Sequence, residues 1–271
     1  LTTFSFDAGR NVSNALRDLR SQYDLKGVVL DLRDNGGGLL MEAVNVCNVF
    51  IPKNELVVTT KSKVRDWDRS FSTLNMVIED ELPLAVLINK SSASASEIVS
   101  GVIQDYDRGV LVGQRSYGKG LVQNTKDIGY NSRVKITTAK YYIPSGRCIQ
   151  SVEYQNGEPV DIPDEQRARF KTRNGRTVLD GGGVAPDLYV ERPENKPIIK
   201  TLINNYLIFD FVTEFFLDQP TPDSIDNFQF DDFAAFLSFL EDRKVAFNTP
   251  SEATLKTLKA SISEEGYQLG D

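Results

Sequence analysis

Ser94, Lys119 and Gln123 are the residues whose types and spacing suggest chemistry in this chain of 271 residues. Ser94 stands where an apolar, strand-like segment ending at Asn89 gives way to small hydroxylated residues and the start of a helix. Lys119 lies between Gly118 and Gly120, which suits close backbone packing, and Gln123 follows four residues later. The sequence contains no histidine. That excludes a Ser-His-Asp triad, a Cys-His pair and histidine-ligated zinc. A serine activated by a lysine remains. Its lysine has to be neutral at working pH, and desolvation achieves this because burial disfavours the charged form. Gln123 can orient the amine by accepting a hydrogen bond, as a third group does in triads.

Each of these residues also has a plainer reading. Ser94 and Glu97 fit a capping box, in which a serine and a glutamate satisfy orphan amides at a helix start. A nucleophile at a strand-to-helix turn looks the same, because that position exposes the hydroxyl and aims helix amides at developing negative charge. Lys119 alone reads as a solvated turn lysine, and Gln123 alone as a polar strand residue. The run Arg33-Asp34-Asn35-Gly36-Gly37-Gly38 is either a tight connection or an amide nest able to hold an oxyanion. It matches neither G-x-G-x-x-G nor a P-loop. Asp31, Asp34, Asp105 and Asp107 match no carboxylate metal motif and read as turn and helix-end residues.

A net charge of −7 argues against a nucleic-acid partner, which calls for a basic face. The two cysteines, Cys47 and Cys148, do not make a disulfide framework, and neither has a histidine to activate it. Cys47 reads as a small core residue and Cys148, among polar neighbours, as partly exposed. No apolar run approaches the roughly 20 residues of a membrane helix. The opening residues look like an interior strand followed by a turn, so the sequence reads as a piece whose N-terminus lies upstream.

The elements that must position the three residues form an α/β pattern. Residues 11–23 have helical spacing, and the following Gly27-Val28-Val29-Leu30-Asp31-Leu32 reads as a doubly covered strand. The glycine turn joins it to a second helix carrying Leu40, Ala43, Val44, Cys47 and Phe50. Residues 55–78 read as a hairpin with a loop bearing Trp67, residues 82–89 as a buried strand, and Ile98 to Tyr106 as a helix face. Another buried strand, Gly109–Gly113, leads to the Lys119 turn. An exposed-edged strand follows and ends at Pro144, residues 151–177 read as loop, and Gly181-Gly182-Gly183 as a structural turn. Pro193 and Pro197 mark a linker. Beyond it the chain is rich in Phe and Leu, with no Lys or Arg between Asp210 and Asp242. This extension reads as an amphipathic cap on the main domain, with an independent partner-binding module as the alternative.

Four segments together, LDLRDNGGG, NKSSASASEIVSGVIQDYDRGVLVGQRSYGKGLVQ, YYIPSGRCIQ and GGGVAPD, resemble the carboxyl-terminal processing proteases, the tail-specific serine peptidases of family S41, over residues 1 to 190. The resemblance implies a ClpP/crotonase-like ββα spiral core at 1–192 with a helical extension at 193–271. It implies Ser94 as nucleophile, Lys119 as base and Gln123 as its orienting partner. The oxyanion hole would use the amide of Ala95 with that of Gly37 or Gly38. Protein or peptide substrates cut near the carboxyl terminus, no metal or organic cofactor, and a bacterial envelope or periplasmic setting go with it, and a homo-oligomer is compatible. The family normally carries an upstream PDZ domain, which this chain lacks, and residues 151–178 lengthen one segment. A non-catalytic peptide-binding or scaffolding protein on the same fold is the alternative. An acyl-CoA enzyme of crotonase type shares only the spiral core.

Overall fold

A computed structural model describes residues 1–155, 158–161, 163–191, 196–217, 228–243 and 250–266. The chain divides into two compact units, Leu1–Arg192 and Pro193–Asp271. The first opens with helix α1 (Ala8–Gln22), strand β1 (Val28–Asp31) and helix α2 (Leu40–Phe50). An antiparallel hairpin of β2 (Leu56–Ser62) and β3 (Arg69–Ser72) precedes β4 (Leu84–Ile88), helix α3 (Ala95–Asp105) and β5 (Val110–Gly113). The long strands β6 (Leu121–Gly129) and β7 (Ser132–Tyr142) follow. Two short hairpins, β8 (Val152–Gln155) with β9 (Glu158–Asp161) and β10 (Arg169–Lys171) with β11 (Thr177–Leu179), lead to β12 (Leu188–Tyr189).

Strands β1, β4, β5 and β12 form a parallel sheet in the order β1-β4-β5-β12. Parallel neighbours need a crossover, and helices supply it between β1 and β4 and between β4 and β5. Consequently β1, β4 and β5 all end at the same edge of the sheet, and the three turns that leave them meet there. Strand β4 alternates in burial, with Leu84, Val86 and Ile88 inside. Every residue of α3 is buried, so this helix runs through the core instead of lying on it. A second, antiparallel sheet has the order β3-β2-β7-β6. Its β6–β7 hairpin closes through Tyr130 and Asn131, both with left-handed φ (50° and 54°), as a two-residue loop requires. Strand β7 stops at Tyr142, ahead of Pro144.

Several sequence expectations need correction. Residues 1–6 do not form an interior strand. Phe4 makes one isolated bridge to Gly38, with its N–H on the Gly37 carbonyl (3.1 Å) and its carbonyl on the Leu39 N–H (2.8 Å). The segment is pinned to the glycine turn, and α1 starts too soon afterwards for a strand. Strand β1 is an edge, and Val29 is 65% exposed, so it is not covered on both faces. Two hairpins occupy residues 152–179, where a loop is expected over 151–177, and their strands of three or four residues are too short to show an alternation in sequence. Cys148 is buried, as is Cys47, whose thiol burial pushes up.

The second unit holds α4 (Pro197–Asn204), α5 (Leu207–Leu217), α6 (Phe233–Asp242) and α7 (Pro250–Glu264). Pro197 occupies the first position of α4, where its missing N–H costs nothing; Pro193 lies outside the described residues. Leu202, Leu207 and Leu240 form a small core with Phe236 and Phe239. The Phe211 ring packs against Phe236 and Phe239 at centroid distances of 5.0 and 5.4 Å. Arg243 pairs with Asp210 at 3.0 Å and with Glu214. No helix among the described residues is long and apolar enough to cross a membrane.

Candidate active site

Ser94 is the N-cap of α3, at the far end of the turn that leaves β4, and its backbone has φ 58° and ψ −112°. That combination lies outside the left-handed helical region that Asn and Asp tolerate. It belongs to the territory of glycine, and a side-chain-bearing residue held there stores about 1–3 kcal/mol. Neighbouring contacts over-determine the turn. Asn35, wholly buried in the glycine turn after β1, accepts the Ala93 N–H at 3.0 Å and the Ser96 hydroxyl at 2.9 Å on its backbone carbonyl. Its side chain accepts the Gly37 N–H at 2.9 Å and donates to the Leu1 carbonyl at 2.8 Å. Further back, Ser92 donates to the Leu32 carbonyl at 2.8 Å, and the Asn89 amide exchanges hydrogen bonds with Asp34 (3.0 and 2.9 Å). The turns leaving β1 and β4 are thus stitched into one body.

Gly37 and Gly38 allow the approach. Their φ values are 99° and 151°. A Cβ on Gly37 would lie 2.8 Å from the Ser94 Cβ and 3.0 Å from the Ala95 nitrogen, and one on Gly38 would lie 2.4 Å from the Phe4 carbonyl oxygen. A side chain at Gly37 would push the two turns apart, and one at Gly38 would displace the Phe4 segment from the glycine turn. The Gly37 N–H is spent on Asn35. The Gly38 and Ala95 N–H groups have no acceptor among the described residues.

The third turn, leaving β5, is tied to the serine turn by Glu97. This side chain is fully buried, and its two carboxylate oxygens accept four hydrogen bonds. Oε2 takes the Ser94 N–H and the Lys119 N–H, both at 2.8 Å. Oε1 takes the Ser116 hydroxyl and the Gly118 N–H, both at 2.6 Å. Burial pushes the Glu97 carboxyl above its ordinary value, against the pull of those four donors. Tyr141 of β7 closes the assembly from the second sheet, its hydroxyl directed at the Lys119 carbonyl and standing 3.3 Å from the Ser94 carbonyl. Ser116 in turn receives the Val184 N–H on its hydroxyl (2.7 Å), which brings the Gly181–Gly183 turn up behind the site.

These turns enclose a cavity of about 380 Å³ lined by Gly38, Ser94, Ala95, Lys119, Gln123 and Tyr141, among others. Ser94 and Lys119 are half-buried, and Gln123 is exposed. Gln123 sits where the register of β6 on β7 shifts: Val122 faces Ala139 but Gln123 faces Thr137. Bulges of this kind re-aim a side chain. Of the residues singled out in the sequence, Gly37 lies outside the cavity lining and touches Ser94 from behind. No hydrogen bond joins the Ser94 hydroxyl to the Lys119 amine, or Gln123 to either, among the described residues. No cluster of three or more His, Cys, Asp or Glu among them forms a metal site.

Three residues escaped the sequence reading. Glu97 was visible only as half of a capping box; its other three donors lie 19 to 22 residues away and no local pattern announces them. Asn35 looked like an ordinary residue before glycine, and Tyr141 like one more aromatic in a strand.

The model of Peptidase family S41 matches residues 1–160. The chain belongs to peptidase family S41. A second model, the C-terminal helical domain of a probable PDZ-protease, matches residues 198–270. Among curated relatives, the carboxy-terminal-processing protease of Bartonella bacilliformis is 43% identical over 169 residues, covering 61% of this chain and 38% of the relative. The chloroplastic C-terminal processing peptidase of Tetradesmus obliquus is 37% identical over 190 residues, covering 70% and 39%. The chain spans about two fifths of the length of these relatives. Among solved structures, a photosystem II D1 C-terminal processing protease superposes with a TM-score of 0.53 at 30% identity, covering 70% of this chain and 41% of that one. The fold is the α/β, ββα spiral core of ClpP and crotonase type, followed by a helical extension.

Two substitutions report on this S41 site independently of activity. Glu97→Gln replaces one of the two acceptor oxygens with an amide NH₂ that faces two N–H or O–H donors, and each donor left unpaired costs about 1–3 kcal/mol; urea unfolding should register at least one such loss. Ser94→Gly relieves the backbone and should raise stability, on the order of 1 kcal/mol after the greater chain entropy of glycine is subtracted. A stability equal to or below that of Ser94→Ala would show that the turn is unstrained.

Proposed function

We propose that the chain is the catalytic part of a serine endopeptidase that cuts protein substrates near their carboxyl terminus through a Ser-Lys dyad. The observation that carries this reading is the shared cavity, lined by Ser94, Lys119 and Gln123 together with Ala95 and Gly38, whose amides lack acceptors among the described residues. The Ser94 Oγ attacks the scissile carbonyl carbon while its proton passes to the neutral Lys119 amine. The resulting oxyanion takes hydrogen bonds from the Ala95 and Gly38 N–H groups, and the dipole of α3 supports the negative charge. Gly38 is the better donor of the two glycines because the Gly37 amide is already bonded to Asn35. Collapse breaks the C–N bond, and the lysine proton goes to the leaving amine, leaving an acyl group on Ser94. Water, deprotonated by Lys119, then releases the new carboxylate and restores the serine hydroxyl.

Gln123 holds the Lys119 amine toward Ser94 by accepting one of its hydrogens. Protein or peptide substrates follow from the reaction, and the setting that goes with it is the bacterial cell envelope or periplasm. The missing Ser94–Lys119 hydrogen bond favours a second reading, non-catalytic peptide binding on the same fold.

Cleavage of a fluorogenic peptide separates the two. Ser94→Ala should abolish turnover by about 10³-fold or more. Lys119→Ala should lose about 10²–10⁴-fold while unfolding like the parent. An unaltered rate in the first variant refutes the nucleophile, and retained turnover in the second refutes the base. A parent chain that binds peptide and never cleaves it supports the second reading.

A further inference from the structure

Beside the catalytic cavity lies a larger one, of about 650 Å³, between the start of α2, the β2–β3 hairpin and the faces of β6 and β7. Its wall is formed chiefly by Phe6, Leu39, Met41, Trp67, Phe71 and Val122. Four of these are conspicuous for being large, apolar and open to solvent: Phe6 is 82% exposed, Leu39 40%, Met41 46% and Trp67 55%. Single exposed apolar residues are ordinary, but four around one concavity mark a binding surface. The volume lies in the range of small-ligand pockets.

The groove is built before anything enters it. Trp67 is presented by a single 3₁₀ turn, Arg65–Trp67, whose Trp67 N–H bonds the Val64 carbonyl at 3.0 Å. Asp68 accepts the Ser62 N–H at 2.7 Å, and Arg69 donates to the Asp66 and Asp68 carbonyls at 2.8 and 2.7 Å. These bonds fix the turn against β2. On the opposite wall, Glu42 also lines the groove, and its carboxylate accepts the Gly9 N–H at 2.9 Å and the Asn45 side-chain amide at 3.3 Å. The groove surface is mostly apolar, its carboxylate is already engaged, and of its two cations Arg69 is bound to the Asp66 and Asp68 carbonyls while Lys126 stands on the β6 side.

What the groove receives follows from its position. Leu39, Leu40, Val122 and Asn124 line both this groove and the cavity that holds Ser94 and Lys119. An extended chain advances about 3.3 Å per residue and sends successive side chains to opposite faces. A peptide whose carbonyl sits on Ser94 therefore delivers the side chain of a neighbouring residue into the groove. We infer that the groove is a side-chain subsite that takes a large apolar residue of the substrate, such as Phe, Leu or Met, within two residues of the bond that is cut. This deepens the proteolytic reading and rests on it for the word substrate; the side-chain preference itself rests on the groove.

Trp67 is the single tryptophan of the sequence, so its emission reports directly on occupancy. The experiment uses the 271-residue chain carrying Ser94→Ala, so that binding is read without cleavage. The probes are acetylated, tryptophan-free eight-residue peptides of alanine and serine with one central Phe, Leu, Ser or Asp. Phe and Leu peptides should shift Trp67 emission saturably, with Kd about tenfold or more below that of the Ser and Asp peptides. Adding Met41→Glu should weaken the Phe peptide about tenfold with an unchanged far-UV circular dichroism spectrum. Flat Trp67 emission up to millimolar Phe peptide, equal affinities for Phe and Ser, or indifference to Met41→Glu each overturns the subsite. Cleavage by the parent chain is scored separately. Phe-selective binding without cleavage sinks the proteolytic reading and leaves the side-chain site standing. Cleavage of Phe and Ser peptides with equal kcat/KM sinks the subsite and leaves proteolysis standing.

Discussion

One buried carboxylate holds the candidate site in register. Removing an ionised glutamate from water costs several kcal/mol, and a bare carboxylate in the position of Glu97 would unfold the turns around it. Four donors offset that cost, two of them from the lysine turn's backbone, one from its Ser116 hydroxyl and one from the Ser94 amide. Because the same two oxygens serve both turns, the Ser94 and Lys119 backbones cannot move independently without stranding a donor. The lysine and the serine stand 25 positions apart in the chain, yet their relative placement is a first-neighbour property of Glu97. Tyr141 adds a brace from the second sheet at the two carbonyls, so that both faces of each turn are held.

That carboxylate works only because the sheet delivers the turns to it. Parallel order puts the carboxyl ends of β1, β4 and β5 side by side, and ligands in open α/β sheets are met at such ends. The glycine turn after β1 then has to approach the serine turn closely, and the Gly37 Cα packs where a Cβ would collide with the Ser94 Cβ. Asn35 ties the two by its backbone carbonyl and spends its side chain on Gly37. With the Gly37 amide engaged by Asn35, Gly38 is the glycine of this turn that lines the cavity with its amide unspent among the described residues.

How much of this was legible in the sequence depends on range. Local features were readable: the helical spacing of α1 and α2, the hairpin at β2 and β3, the apolar runs of β4 and β5, and the serine at the strand-to-helix turn. Their boundaries came close because each depends on neighbours within a few residues. The order of the family's four segments pointed to the fold, which the S41 match and the superposition bear out. Features set by distant partners were not readable. Val29 looked as apolar as Leu30, and only the sheet order exposes it. The hairpins within residues 152–179 consist of strands too short to carry a period. The division of labour at Glu97 could not be seen, since a capping box needs only Ser94, whereas three of its four donors come from another turn.

Ser94 is where local and global preferences conflict, and the conflict is informative. Most residues with positive φ outside glycine in this chain are Asp or Asn, whose side chains make that geometry tolerable. Ser94 is not among them, and its ψ of −112° takes it beyond the region they favour. Backbone geometry alone would suit glycine there, and the turn is held by the Ser94 amide on Glu97 and by the Ser94 carbonyl on the amides of Glu97 and Ile98. A side chain maintained against the backbone's preference, on the rim of a cavity it shares with a lysine, is better accounted for by what it does to a ligand than by what it does for the fold. The cap and the cavity-facing hydroxyl belong to one residue, since the Glu97 carboxylate takes the Ser94 N–H within a capping box while Ser94 lines the cavity beside Lys119.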